Sequence, residues 1–247
     1  MSPLWRKPKA LRIGLCPDRI LISEARPVAL EGEGDWRSAV EALPAVLAGR
    51  KAAEATVVLA DQFVRYALLP WNPTLKTEEQ WLALARHRFG AIHGASIAQW
   101  DLKVTETAPM GPRLVCAAER SLIEALAGKF TAARISLVSV QPFLVAAFNR
   151  IRAHVGTGSC WIVVEEPRRL TLALIQRGAW MAIRSRRSDS RWREMLPDIL
   201  ERESAFLGLA EPCTAVLVCV EGEFDAEMHE AFRAQALSYR ELALATG

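Results

Sequence analysis

Residues 160–185 read CWIVVEEPRRLTLALIQRGAWMAIRS. This stretch divides into apolar runs at Cys160–Glu165, Leu170–Ile175 and Ala179–Ser185, separated by Pro167-Arg168-Arg169 and Gln176-Arg177-Gly178. Short runs rich in Val, Ile, Leu and Thr, bounded by Pro or Gly, read as β-strands, so the stretch predicts three strands joined as two hairpins. Ser188-Asp189-Ser190 then offers a helix N-cap, because Ser and Asp oxygens accept from the first free amides of a helix. The following helix carries Trp192, Leu196, Ile199, Leu200, Phe206 and Leu207 on its inner face, and Ala215–Val220 (AVLVCV) follows as a buried strand. A helix at Ala226–Ala234 and an edge strand at Leu237–Leu242 complete the expected order.

The same order opens the chain. Residues 11–31, LRIGLCPDRILISEARPVALE, read as three short strands with turns at Pro17-Asp18 and Arg26-Pro27. A helix follows over Trp36–Leu47, its stripe formed by Trp36, Val40, Leu43 and Leu47, with Pro44 expected to kink or divide it. Ala55–Ala60 is a buried strand. Two units of three strands, a helix and a strand thus stand about 150 residues apart, a repeat of order and not of sequence. Between them lie a strand at Phe63–Leu69, the turn Pro70-Trp71-Asn72-Pro73, and a helix opened by the capping box Thr77–Gln80. That helix runs to Phe89 with Trp81, Leu82, Ala85 and Phe89 on one face. Strands near Ile97–Thr105 and Arg113–Ala118 come next, then a helix at Ser121–Thr131, a strand at Ile135–Val140 and a helix at Pro142–His154.

Composition sets the bounds. The chain has 247 residues, 51% apolar and 24% charged, which suits a folded protein of one large or two small domains. A net charge of +3 is too small to imply nucleic-acid binding, and none is expected. No run of about 18 uncharged apolar residues occurs, so no membrane span is expected. MSPLWRKPKALRIG has no apolar stretch of signal-peptide length, so a cytoplasmic protein is expected. The cysteines, Cys16, Cys116, Cys160, Cys213 and Cys219, are odd in number and form no CxxC pair. Neither they nor His87, His93, His154 and His229 have metal-ligand spacing, so no metal is expected. Glu165 and Glu166 alternate faces if they lie in a strand, which prevents them from acting as paired carboxylates. The basic run Arg184–Arg193 reads first as a solvated strand-to-helix connection and second as a contact for anionic lipid or an acidic partner. Trp5-Arg6-Lys7-Pro8-Lys9 invites the same two readings. Trp36, Trp81, Trp161, Trp180 and Trp192 fall on apolar faces or in strands and read as core.

Two such units, the first carrying an insertion, resemble the actin-like, ribonuclease-H-like ATPase folds. More specifically, the chain resembles the PilM family of type IV pilus assembly and the cytoplasmic part of GspL-type secretion proteins. The likeness rests on four segments in order: VVLADQFVRYALLPW, TEEQWLALARHRFGAIHGASIAQWDLKV, PRLVCAAERSLIEALAGKFTAARISLVSVQP and CWIVVEEPRRLTLALIQRGAWMAIRS. It implies an α/β, actin-like (ribonuclease-H-like) duplicated fold of two βββαβ units with a small α+β insertion in the first. The implied subdomains are 1–155, containing an inserted part at about 72–118, and 156–247.

The resemblance also implies a nucleotide site in which each hairpin turn holds an acidic residue and glycines that let amides approach phosphates. Here the first turn offers Gly14 and Asp18, the second Glu165, Arg168 and Thr171, and the adenosine-side strand Gly222. Pro17 removes an amide and Pro167 takes a glycine position, so the site is expected to be degenerate. Arg168 and Arg169 read first as solvated turn residues and second as a charge-based phosphate contact. The implied function is a catalytically silent scaffold, with no cofactor (ATP with magnesium at most weakly held). Its partner would be the cytoplasmic tail of a single-span inner-membrane protein, with an assembly ATPase as a further partner. It would sit at the inner face of the bacterial inner membrane. Trp71, in its Pro-flanked turn, reads equally as a lid on the core or as a partner anchor, and Trp81 and Phe89 complete the partner-binding set. The alternative is a working ATPase or small-molecule kinase of the same fold.

Overall fold

The computed structural model describes residues 10–23, 25–31, 34–105, 108–155, 158–209, 213, 215–220 and 235–238. The chain opens with β1 (Leu11–Leu15), β2 (Arg19–Ile22), β3 (Val28–Ala29), α1 (Trp36–Leu47) and β4 (Glu54–Leu59). It continues through β5 (Val64–Leu69), α2 (Glu78–His93), β6 (Trp100–Thr105) and β7 (Arg113–Glu119), then α3 (Arg120–Ala132), β8 (Ser136–Pro142) and α4 (Phe143–Val155). The second unit holds β9 (Ser159–Glu166), β10 (Arg169–Gln176), β11 (Ala179–Arg187), α5 (Trp192–Phe206), β12 (Ala215–Val220) and β13 (Gln235–Ser238). The first five-stranded sheet has the order β3-β2-β1-β4-β8 and the second β11-β10-β9-β12-β13. In each, the first strand pairs antiparallel with the second and parallel with the fourth, and a parallel strand closes the edge beyond the fourth. The duplication expected from element order is therefore present strand by strand. A third sheet, β5-β7-β6, lies between β4 and α3 in the chain and takes in β5 as well as the strands within 72–118.

Alternation along the strands divides each sheet between two cores. Leu11, Ile13 and Leu15 of β1, with Val57 and Leu59 of β4, pack on Val40 and Leu43 of α1 and on Leu122 and Phe130 of α3. Trp161, Leu172 and Leu174 pack on Trp192, Leu196 and Leu200 of α5 in the corresponding way. The opposite faces of both sheets meet in one shared layer. There Val58, Leu21, Ile162, Val164 and Trp180 enclose Phe143, Leu144 and Phe148 of α4. Burying each such side chain contributes roughly 1.5–3 kcal/mol, so this layer, built around α4, binds the two units to each other.

Three expectations are corrected. α1 is not divided at Pro44: the proline forfeits one bond, to the Val40 carbonyl, while burial of Val40, Leu43, Val46 and Leu47 on both sides of it holds the helix together. The strand expected from Ile97 begins at Trp100. Gly94, at φ +63°, ends α2 in a conformation that side chains resist, and residues 94–99 form a tight 3-10 turn. The last strand starts at Gln235 rather than Leu237. The helix expected at 226–234 lies outside the described residues. The capping box is present, with Thr77 accepting from the Gln80 amide and Gln80 accepting from the Thr77 amide. No described helix is long and apolar enough to cross a membrane.

Candidate functional site at the junction of the two units

β9 ends at Glu166 and β10 begins at Arg169, which leaves the two-residue turn Pro167-Arg168 between them. Proline fixes its own φ near about −65°. Arg168 adopts φ +63°, a left-handed conformation in which a Cβ is crowded and glycine is the usual occupant. Side chains alternate along β9, so Glu166 shares a face with Val164 and Ile162, toward the shared layer, while Glu165 turns to the other side. Glu166 is 3% exposed.

What meets Glu166 comes from the first unit. β4 runs into a 3-10 turn, Asp61–Phe63, and its two leading amides, of Asp61 and Gln62, donate to the two carboxylate oxygens of Glu166 at 2.8 and 3.0 Å. Gln62 Nε2 also donates to the Pro167 carbonyl at 2.8 Å. Free amides at the start of a helical turn form a ready anion site. Here the anion is supplied by the chain itself, and charge-assisted bonds of this kind are about twice as strong as neutral ones.

Asp61 is wholly buried directly behind this contact. Its Oδ1 accepts from the Tyr66 hydroxyl of β5 and from the Leu144 amide of α4, the latter at 3.0 Å, while Oδ2 is buried with no hydrogen-bond partner. Burial pushes the Asp61 carboxyl up to about 6, opposed by the Tyr66 and Leu144 hydrogen bonds and by the Arg169 guanidinium. The Tyr66 phenol is pushed well above its ordinary value by burial and by the charge of Asp61. Asp61 therefore ties together three elements, the end of β4, the start of α4 and the inserted sheet. Glu166 adds the second unit.

The residues expected to form a nucleotide site are dispersed. Gly14 lies mid-strand in β1, paired with Leu21 and Val58, and not in a turn. Asp18 is exposed at the β1–β2 turn and accepts from Arg19 at 3.0 Å. Glu165 is on the α5 side of its strand, where Leu170 is its partner in register. Thr171 is 1% exposed, with its hydroxyl 3.3 Å from Ser185 Oγ and no open surface of its own. Arg168 sits at the turn, and Gly222 lies outside the described residues. Of the expected partner anchors, Trp81 and Phe89 are each 1% exposed and fill the core of the inserted subdomain with Leu69 and Val115, out of a partner's reach. Trp71, 44% exposed, is the one of the three a partner can touch. Asp61, Tyr66 and Glu166 come together as a site only in the fold. The signal for Glu166 was one more residue of alternation in CWIVVEE; for Asp61 it was a carboxylate directly after the apolar run ATVVLA.

Two cavities flank this junction. One, of about 610 Å³, is lined by four arginines, Arg168, Arg169, Arg186 and Arg187, together with Gln62 and two serines. The other, of about 290 Å³, lies between the inserted sheet and the first unit. Leu102, Ala118, Ile123, Val140 and Val145 give it an apolar floor, and Asp101, Lys103 and Gln141 a polar rim. Among the described residues its flanking strands, β6 and β8, each end their sheet. Cys116 also lines it, and burial pushes that thiol up, so it stays protonated. No group of three His, Cys, Asp or Glu among the described residues could hold a metal ion.

No protein-family model and no curated protein sequence matches this chain. Solved structures do. One similar structure is a chain of a PilM–PilN type IV pilus biogenesis complex, 11% identical, with a TM-score of 0.68 over 98% of this chain and 91% of that one. A second is a Bacteroides thetaiotaomicron protein with an actin-like ATPase fold and unknown function, 12% identical, TM-score 0.58, covering 100% of both chains. A third is the cytoplasmic domain of EpsL, an inner-membrane component of the type II secretion system of Vibrio cholerae. It is 12% identical, with a TM-score of 0.55 over 95% of this chain and 92% of that one. At these identities the likeness establishes the fold: the chain is an α/β protein of actin-like architecture, similar to PilM-complex and EpsL structures.

Proposed function

We propose that this chain is a cytoplasmic scaffold of a type IV pilus or type II secretion assembly platform, at the inner face of the inner membrane. In this reading it holds the cytoplasmic tail of a single-span membrane protein and does not turn over nucleotide. The observation that carries the proposal is the apolar groove between β6–β7 and β8–α4. A groove with an apolar floor, a polar rim and edge strands on both sides suits an extended peptide: side chains fill the floor and backbone groups meet a strand edge. In this reading Leu102, Ala118 and Val145 line the partner contact, Trp81 and Phe89 belong to the core of the inserted subdomain, and Trp71 stays an exposed candidate anchor. Supporting this reading, one similar structure was solved as a PilM–PilN complex and another is the cytoplasmic domain of an inner-membrane component. The second support is the dispersal of the nucleotide residues, with Glu166 filling the amide pair at the end of β4.

The test is capture of tail peptides from single-span membrane proteins encoded beside this chain's gene. Ala118→Arg, at a half-buried position on the groove floor, should abolish capture while the fold persists. Binding that is indifferent to this change would remove the groove from the proposal. Steady phosphate release from magnesium ATP would instead favour the alternative, a working ATPase or kinase of this fold.

A further inference from the structure

The larger cavity has a composition that the scaffold reading does not use. In the β10–β11 ladder Arg169 stands directly opposite Arg187, and Thr171 opposite Ser185, so these four side chains share one face. Like charges directly opposite on a sheet repel. Arg169 Nη2 donates to Ser185 Oγ at 3.2 Å, which fixes its direction, while its Nε is buried with no hydrogen-bond partner. Arg168 and Arg186 bring two more guanidinium groups to the same space, and among the described residues no carboxylate lines it. Three acids lie nearby, each with partners outside the cavity. Glu166, opposite Arg169 in the β9–β10 ladder, accepts from the Asp61 and Gln62 amides, Asp61 is buried against Tyr66 with the Arg169 charge acting on it, and Asp189 accepts from the Arg191 amide at 2.9 Å. The turn also carries a conformational cost, an arginine at φ +63° where glycine is relaxed, and what this places at the cavity is one more cation.

We propose that this cavity is a binding site for phosphoryl groups, presented by a soluble phosphorylated molecule or by phospholipid headgroups. Guanidinium forks pair with phosphoryl oxygens in bidentate fashion, and several converging on one space separate the Arg169–Arg187 repulsion with a shared anion. The volume of about 610 Å³ falls within the range of small-molecule sites. Of the residues expected to hold a nucleotide, Arg168 lines it and Gly14, Asp18, Glu165 and Thr171 do not, so the cavity lies on the β11 side of the second hairpin turn and not between the two turns.

Two probes separate the sources. Melting temperature is followed with inorganic pyrophosphate against sodium chloride at matched ionic strength. Sedimentation is followed with vesicles of phosphatidylglycerol in phosphatidylcholine against phosphatidylcholine alone. Stabilisation by pyrophosphate identifies a soluble ligand, and sedimentation with anionic vesicles alone identifies a headgroup; either supports the site. Arg187→Gln and Arg168→Gly, both at exposed positions, should each weaken the responding arm about tenfold, the loss expected for one charged hydrogen-bond pair. Urea unfolding of both variants verifies that the fold is kept. Silence in both arms, a pyrophosphate effect no larger than that of chloride, or binding unchanged in both variants overturns the proposal.

Discussion

The two hairpin turns sit at equivalent places in equivalent sheets, yet they behave differently. At the β1–β2 turn, the Cys16 amide donates to the Arg19 carbonyl at 3.0 Å and the Leu30 amide to the Asp18 carbonyl at 2.8 Å, while Asp18 meets its neighbour Arg19 at the surface. Each of these bonds stays within the first unit. At the β9–β10 turn, Glu166 crosses to the amides of Asp61 and Gln62, and Pro167 receives the Gln62 side chain. The repeated frame is maintained by apolar alternation, which the shared layer and the two outer cores enforce at every strand. The turns contribute little to those cores, so their chemistry is free to differ, and in the second unit it has become the joint between halves.

The largest test of this contrast is truncation of the two acids. Glu166→Ala leaves the buried Asp61 amide and the part-buried Gln62 amide without their acceptor. Each orphaned buried donor costs about 1–3 kcal/mol, so the expected loss is roughly 4 kcal/mol in urea unfolding. Asp18→Ala removes an exposed pair and should cost less than about 0.5 kcal/mol. Similar losses at both sites would break the comparison.

A smaller effect sharpens it through pH. Asp61 has a folded-state value of about 6, above its ordinary 3.8, so the folded chain holds its proton more tightly than the unfolded chain does. Its contribution is therefore fully present below pH about 4 and is lost as pH rises through about 6, so stability falls across that window. The fall should be on the order of 2–3 kcal/mol. Asp61→Asn should flatten this segment of the stability–pH curve, whereas Asp18→Asn should leave it in place. A wild-type curve that rises between pH 4 and 6 relative to the Asp61→Asn curve would contradict the assignment of burial as the dominant influence.

The same contrast explains what could be read from the sequence. Strand order, the inserted helix with its capping box and the burial of Trp36, Trp161, Trp180 and Trp192 all follow from local periodicity, and the structure bears them out. The joint does not follow from periodicity. Ending β9 at Glu165 instead of Glu166 is a one-residue error, but side chains change face at every residue, so it selects the carboxylate on the wrong side. Asp61 meets Leu144 and Tyr66 from different elements, and such convergence is a tertiary fact that no local pattern carries. Trp81 and Phe89 were placed correctly on one helical face, but periodicity could not say that this face closes on Leu69 and Val115 rather than on a partner. The groove was hidden for a related reason, since β6, β8 and α4 come together only in the fold.

The smallest expected effect isolates the turns themselves. Arg168 is at φ +63°, and no described residue of the β1–β2 turn has a positive φ. A left-handed conformation costs an ordinary residue about 1–2 kcal/mol, whereas glycine adopts it freely but loses more chain entropy on folding. Arg168→Gly should therefore raise stability by about 0.5–1 kcal/mol, seen as a higher urea midpoint at unchanged slope. Asp18→Gly meets no such relief, adds the entropy loss to the small loss of its exposed Arg19 pair and should lower the midpoint. Opposite signs at two turns in matching sheet positions would show that the second turn holds its arginine against its own backbone preference. A stabilising Asp18→Gly, or a destabilising Arg168→Gly, would instead mean that packing around the turn, and not the left-handed residue, sets its energy.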